Sequence, residues 1–144
     1  MDRILVGLDA SARAARVLET AVELARRTGG KLILFRAVGV PHEIPVEAYS
    51  MTPANLAELL EREAMQYLDQ VAKTLPPGML ADKIVHVGTP WQGVCGAADQ
   101  HKADMIVIGS HGYSGLDRLL GTTAAKVVNH AKQSVLVVRG HPDL

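Results

Sequence analysis

A glycine-rich stretch, residues 105 to 123, carries the residue types and spacing best suited to chemistry. An apolar run leads into glycines at 109, 112, 115 and 121, and Thr122 and Thr123 follow. Glycines let backbone N–H groups approach a ligand without a Cβ in the way. A helix that begins after such a stretch presents partial positive charge to an anion. The stretch therefore predicts a phosphate cradle, with a nucleotide as the leading ligand.

The elements that must position this cradle alternate between strand and helix. Apolar runs predict strands over 4–8, 31–38, 80–87, 105–108 and 135–138, and helical periodicity predicts helices over 12–27, from 53 onward, 91–101 and 122–131. Ser11 or Asp9 is a candidate N-cap of the first helix, which Gly29-Gly30 ends. Thr52-Pro53 predicts the start of the second helix, after a surface loop over 39–52.

Strands that are apolar throughout and separated by helices indicate an α/β fold. We expect one domain over 1–144, an open parallel sheet with helices on both faces. In such sheets ligands bind beyond the carboxyl ends of the strands, where the strand order reverses. Here Asp9, Ala37, Gly88 and the 109–112 stretch follow predicted strands. The phosphate cradle and a strand-end carboxylate are thus expected at the same edge of the sheet.

Composition limits the class of protein and of partner. The chain has 144 residues, 48% hydrophobic and 21% charged, as in a globular domain. Its 15 basic and 15 acidic residues balance, so we expect no general affinity for nucleic acid or an anionic membrane. A single cysteine, Cys95, and the lack of a signal-peptide pattern or a long apolar run favour a cytoplasmic protein.

Five fragments stand out along the chain: Ile-Leu-Val-Gly-Leu-Asp-Ala-Ser at 4–11, Gly-Thr-Pro at 88–90, Ala-Asp-Met-Ile-Val-Ile-Gly-Ser-His-Gly at 103–112, Leu-Leu-Gly-Thr-Thr at 119–123 and Ser-Val-Leu-Val-Val-Arg at 134–139. Together they resemble the universal stress protein family, in its small single-domain form, over essentially the whole chain. The resemblance implies a five-stranded, Rossmann-like sheet of order 3-2-1-4-5, homodimers formed through the last strand (Val135 to Val138) and a role in the stress response.

One branch of the family binds ATP through Gly-x2-Gly-x9-Gly-Ser/Thr. Here Gly109 and Gly112 match, but only eight residues, 113 to 120, separate Gly112 from Gly121. The resemblance therefore implies bound ATP or AMP, with Mg²⁺ held through the phosphates and waters, and leaves the preference among adenylates open.

On this basis Asp9 is expected to accept hydrogen bonds from ribose hydroxyls or the adenine amino group, since a carboxylate offers only acceptors. Its plainer role is the helix N-cap. Backbone groups of Ala37 and Gly88 would face the adenine edge, although both are also ordinary strand ends.

The remaining candidates would surround phosphate: Gly109, Ser110, His111, Gly112, Gly121, Thr122 and Thr123. A simple turn is the alternative for the first glycines, solvent exposure for His111, and helix capping for the threonines.

Other chemistries fit less well. Gly-Tyr-Ser-Gly at 112–115 lacks the second glycine of a hydrolase nucleophile elbow, because position 116 is Leu. The histidines and one cysteine form no metal-ligand spacing. No residue is placed as a general base, so an enzyme is not predicted beyond weak ATP hydrolysis. Two hypotheses remain: a homodimeric regulatory module switched by an adenine nucleotide, and a nucleotide-free dimeric scaffold that recruits partners.

Overall fold

A computed structural model of the chain describes residues 2–9, 11–39, 53–110 and 120–140, except the side chains of 53 and 54. Strands and helices alternate along these ranges. In chain order the elements are β1 (Arg3–Gly7), α1 (Ala14–Thr28), β2 (Lys31–Val38), α2 (Pro53–Lys73), β3 (Leu80–Val87), α3 (Pro90–Gln100), β4 (Met105–Gly109), α4 (Thr122–His130) and β5 (Ser134–Val138). The predicted elements are all present, and their bounds differ from the prediction by at most two residues.

The five strands form one parallel sheet of order β3-β2-β1-β4-β5. The predicted strand order is therefore confirmed. The chain winds outward from β1 to β3 and then returns to place β4 on the other side of β1. This reversal leaves a crevice between the carboxyl ends of β1 and β4, where open α/β sheets bind ligands.

The alternation of side chains along β1 divides the core into two layers. Ile4 and Val6 pack with the apolar faces of α1 and α2, whereas Leu5 packs with α3 and α4. All three side chains are fully buried. Since successive strand residues point to opposite faces, a strand covered by helices on both sides must be apolar at every position. This requirement explains the uninterrupted run at the start of the chain.

The entry into α1 differs from the prediction. Its N-cap is Arg13, with no side-chain capping bond, so the prediction that Ser11 or Asp9 caps the helix is wrong. The physical reason is that the two side chains bond to each other. Oδ1 of Asp9 accepts from the backbone N–H of Ser11 at 2.9 Å and from its hydroxyl at 2.5 Å. The Asp9 carboxylate therefore stays at the end of β1 and is not drawn into the helix.

Glycine and proline end the helices as predicted. Gly29 takes the left-handed conformation, with φ of 75°, and its N–H donates to the carbonyl of Ala25 at 2.9 Å. Such a backbone is accessible to glycine without strain. Helix α2 begins at Pro53 and stops before the prolines at 76 and 77. Of the predicted loop over 39–52, residues 40–52, with Thr52 as a cap, lie outside the described residues.

Candidate functional site

A cleft of about 540 Å³ opens at the carboxyl edge of the sheet, between the ends of β1, β2 and β4 and the start of α4. Seven of the predicted site residues line it: Asp9, Ala37, Gly109, Ser110, Gly121, Thr122 and Thr123. His111 and Gly112 lie outside the described residues. Segments that are far apart in the sequence therefore meet around one space, as the position of the strand ends predicts.

Two backbone hydrogen bonds hold the phosphate-cradle candidates in place. The N–H of Ser110 donates to the carbonyl of Val138 at 2.9 Å, and the carbonyl of Ser110 accepts from the N–H of Gly121 at 2.7 Å. Ser110 is also buried, with 2% of its surface exposed. The residues on either side of 111–120 are thus joined at one point beside β5.

Helix α4 begins at the cleft wall. Gly121 is its N-cap, with extended backbone and no side-chain capping bond, and the N–H of Ala125 makes the first helical bond, to the carbonyl of Gly121. The N–H groups of Thr122 and Thr123 precede that bond, so they need partners outside the helix. Neither threonine is the cap, which removes the plainer explanation for them. Both side chains are exposed at the cleft.

Asp9 is the carboxylate of the described cleft lining. Its Oδ1 is engaged by Ser11, whereas Oδ2 makes no hydrogen bond within the described part of the chain. The Tyr67 hydroxyl, on α2, donates to the Asp9 carbonyl at 3.4 Å. Asp9 is therefore anchored through its backbone and one carboxylate oxygen, and its second oxygen is available to a ligand.

Tyr67 and Arg36 form a support behind Asp9 that sequence reasoning missed. The Arg36 guanidinium lies over the Tyr67 ring, 4.6 Å from its centroid. Burial raises the pKa of the Tyr67 hydroxyl above its ordinary value; Arg36 opposes this rise and the Asp9 carboxylate adds to it. The apolar periodicity of α2 places Tyr67 on the core face, but only the fold shows that its hydroxyl reaches Asp9, two residues beyond β1.

The apolar floor of the cleft was also not predicted. Phe35, Val94 and Ile108 line it beside Ala37. Phe35 precedes Ala37 by two residues on the same strand, so their side chains share a face of the sheet. That period of two is the signal that could have identified Phe35, the one phenylalanine of the chain.

Gly88 is not among the described residues that line the cleft. Its N–H donates to the carbonyl of Val38 at 2.9 Å, and its φ of 143° is a conformation that suits glycine. The His86 ring occupies the space beside it, 6.4 Å from the Phe35 ring between centroids. Contact of Gly88 with an adenine stays a prediction.

Trp91, on α3, packs against α4. Its ring lies 4.6 Å from that of His130 between centroids, and the Lys126 amine lies 5.4 Å from its centre.

Cys95 is half-buried and unpaired, and burial raises the pKa of its thiol. Within the described ranges no cluster of three metal-ligating side chains occurs, and no helix has the length and apolar character needed to cross a membrane.

A parallel sheet of order 3-2-1-4-5, with a polar cleft where the winding reverses, defines the adenine nucleotide alpha hydrolase-like class of α/β fold. Within that class, the model of the universal stress protein family matches residues 1–139. The chain belongs to the universal stress protein family.

Relatives of known family span nearly the full chain. It is 27% identical to a universal stress protein of Synechocystis sp. over 149 aligned residues, covering 95% of this chain and 97% of the relative. It is 31% identical to universal stress protein A homolog 2 of Coxiella burnetii, covering 95% and 94%. The match thus extends over nearly the whole of each chain.

Solved structures agree with this placement. The universal stress protein UspA from Lactobacillus plantarum superimposes with a TM-score of 0.73 at 28% identity, over 96% of this chain and 97% of that one. A universal stress protein in complex with cAMP gives 0.63 at 27% identity, over 97% and 98%. One from Archaeoglobus fulgidus in complex with dAMP gives 0.66 at 22% identity, over 96% and 98%, and shares the fold.

Proposed function

We propose that this protein binds an adenine nucleotide, ATP or AMP, in the cleft at the carboxyl edge of its sheet. One observation carries the proposal: Asp9, Gly109–Ser110 and Gly121–Thr123 meet around a single space. The cAMP bound to a family member of 27% identity supports an adenylate as the ligand class.

The lining suggests how the ligand lies. The base occupies the apolar floor made by Phe35, Ala37 and Val94, where burial of its faces is favourable. Oδ2 of Asp9 accepts a hydrogen bond from the ribose or the adenine amino group. The phosphates lie at the start of α4, where unpartnered N–H groups and the helix dipole favour an anion.

Mg²⁺ fits such a site only through the ligand. The described lining holds one carboxylate, Asp9, together with threonine and serine hydroxyls. This donor set is too small for a protein cage, so phosphate oxygens and waters would supply most of the coordination. The protein's part is to hold the phosphates at Gly109, Ser110 and Gly121–Thr123, with His111 and Gly112 contributing from the same stretch.

We infer a regulatory role for binding. Ser110 and Gly121 lie on either side of residues 111–120, whose environment changes when a phosphate binds. Nucleotide binding can therefore alter the contacts that this stretch makes with partner proteins. No general base is assigned, and the proposal does not include catalysis. The setting is a cytoplasmic stress response.

A homodimer through Val135–Val138 belongs to the same proposal. Strand β5 is at the edge of the sheet, and Leu136 is 36% exposed on it. On α4, Val128 is 46% exposed. An apolar edge strand in water favours pairing with another chain. Sedimentation should give a dimer that Leu136→Lys dissociates, and a wild-type monomer at all concentrations would contradict this part.

The test of the main proposal begins with the protein as purified. Denaturation should release an adenine nucleotide detectable by ultraviolet absorbance and chromatography. The emptied protein should then gain thermal stability with adenylates and not with GTP. A ligand at 100 times its Kd adds about 2.7 kcal/mol. If no adenylate is released and none at millimolar concentration raises Tm, the scaffold hypothesis is the better description.

A further inference from the structure

We propose that Arg13, Arg16 and Arg139, termed here the arginine corner, bind the terminal phosphates of the nucleotide and so favour a triphosphate over a monophosphate. This inference rests on the proposed function and specifies the ligand of the same site.

The corner is formed where the start of α1 meets the end of β5. Nε of Arg16 donates to the carbonyl of Arg139 at 3.0 Å. The Arg13 side chain passes over Gly140 so closely that a Cβ there would lie 3.1 Å from its Nε. Three guanidinium-bearing residues thus share one corner although 123 positions separate Arg16 from Arg139.

Contacts link the corner to the cleft from two sides. Val138, which directly precedes Arg139, accepts the hydrogen bond from Ser110 in the cleft lining. On the other side, the N–H of Arg13 donates to the Ser11 hydroxyl at 3.3 Å, and that hydroxyl donates to Asp9. Arg13 and Arg139 thus each lie within two residues of a group, Ser11 or Val138, that is hydrogen-bonded to the cleft lining, and the proposal extends their side chains to the cleft's phosphate end.

The described residues do not compensate the positive charge of the corner. Among the described residues, none of its three guanidinium groups has an ion-pair partner, and the first turn of α1 holds no acidic residue. Cations are disfavoured at a helix N-terminus, where the dipole is positive. The arrangement costs stability locally, as sites built for a ligand often do.

The other end of α1 shows the contrast. Arg26 and Arg27 lie in the last turn, where the dipole favours cations, and Arg27 pairs with Glu23 at 2.8 Å. Ordinary helix electrostatics explains these two arginines but not Arg13 and Arg16. An anion supplied from outside explains the latter pair.

Terminal phosphates are the anion that the geometry favours. With the base on the apolar floor and the first phosphate at Gly121–Thr123, further phosphates extend beside Ser110, whose N–H donates to the Val138 carbonyl. Guanidinium groups bind phosphate oxygens through paired, charge-assisted hydrogen bonds. Each added phosphate therefore gains contacts that a monophosphate lacks.

The experiment is titration calorimetry of the emptied full chain with AMP and with ATP. Wild type should bind ATP roughly tenfold or more tightly than AMP. Arg13→Gln and Arg139→Gln should each weaken ATP binding by about tenfold and leave AMP binding unchanged, because only ATP reaches the corner. Arg26→Gln is the matched control: it removes the same charge from the far end of α1 and should change neither affinity.

Three results would contradict the proposed role of the arginine corner while leaving adenylate binding intact. They are equal affinities of wild type for ATP and AMP, equal losses of ATP and AMP affinity in the Arg13→Gln and Arg139→Gln variants, or a loss of ATP affinity in Arg26→Gln as large as theirs. If no adenylate binds wild type at all, the proposed function falls and the corner with it. Arg139→Gln changes an exposed side chain, so it keeps the test decisive if Arg13→Gln fails to fold.

Discussion

The backbone N–H of Gly121 donates a 2.7 Å hydrogen bond to the carbonyl oxygen of Ser110, across a stretch of ten intervening residues. Ser110 in turn donates its N–H to Val138 on the edge strand. The start of α4 is thereby fixed relative to β4 and β5. A ligand that contacts this point touches three elements at once, which is why small changes there should affect binding as well as stability.

Replacing Gly121 by proline tests that bond. The native φ of −61° suits proline, so the substitution removes the N–H without forcing a new φ. The buried Ser110 carbonyl then loses its partner, and we expect a loss of about 1–3 kcal/mol in the free energy of unfolding together with weaker AMP binding. Urea denaturation measures the first. Gly121→Ala keeps the N–H and serves as the control; equal behaviour of both variants would show that the bond is unimportant.

Asp9→Asn should weaken nucleotide binding without unfolding the protein. The asparagine oxygen can still accept from Ser11, but it lacks the charge that strengthens a bond to the ligand, so we expect a loss of roughly tenfold. Calorimetry with AMP and 2′-deoxy-AMP identifies the partner: a loss confined to AMP indicates the ribose. Asp82→Asn, near the amino end of β3, is the control. Unchanged affinity for both ligands in Asp9→Asn would remove Asp9 from the site.

Two glycines of α3 should respond oppositely to alanine. A Cβ at Gly93 would lie 2.4 Å from Cδ2 of His86, whereas nothing lies within 4 Å of a Cβ at Gly96. Gly93→Ala should therefore destabilise by about 1–3 kcal/mol through overpacking. Gly96→Ala should stabilise by roughly 0.5–1 kcal/mol, because alanine favours the helix.

His86→Ala provides the double-mutant cycle for this contact. If the His86 ring is the main group that Gly93 accommodates, the cost of Gly93→Ala should fall in the His86→Ala background, where Phe35 Cζ, 3.0 Å from the added Cβ, is the remaining close contact. Chemical denaturation of the four proteins measures it. Full additivity of the two changes would place the strain elsewhere.

Acid stability should depend on Asp104. Backbone N–H groups of Arg3 and then Asp2 donate to its carboxylate, at 2.9 and 2.8 Å, and hold its pKa below the ordinary value of 3.8. Since the folded pKa is the lower one, the stabilisation is complete above the unfolded value and is lost as pH falls through the folded value. Asp104→Asn should therefore lower Tm at neutral pH and flatten the decline of Tm below about pH 4. If the decline of Tm at acid pH is the same in Asp104→Asn as in wild type, Asp104 does not have this role.

Much of the fold was predictable from local pattern. Strands β2 and β3 have the predicted bounds because glycine or proline precedes and follows each of them, and those signals act within a few residues. The strand order came from resemblance to a family and is confirmed. The cap of α1 was predicted wrongly, because Asp9 and Ser11 form hydrogen bonds with each other. Those bonds depend on the position in which β1 holds Asp9.

By itself the sequence determined which residues could serve a phosphate, since glycine spacing and a helix start are local properties of the chain. Only the tertiary structure decided what surrounds them. The Tyr67 hydroxyl behind Asp9, the His86 ring against Gly93 and the approach of Arg16 to Arg139 each join residues on different elements. Such contacts depend on strand order and helix packing, which arise from the summed burial of many apolar side chains and not from the identity of the residues that finally touch.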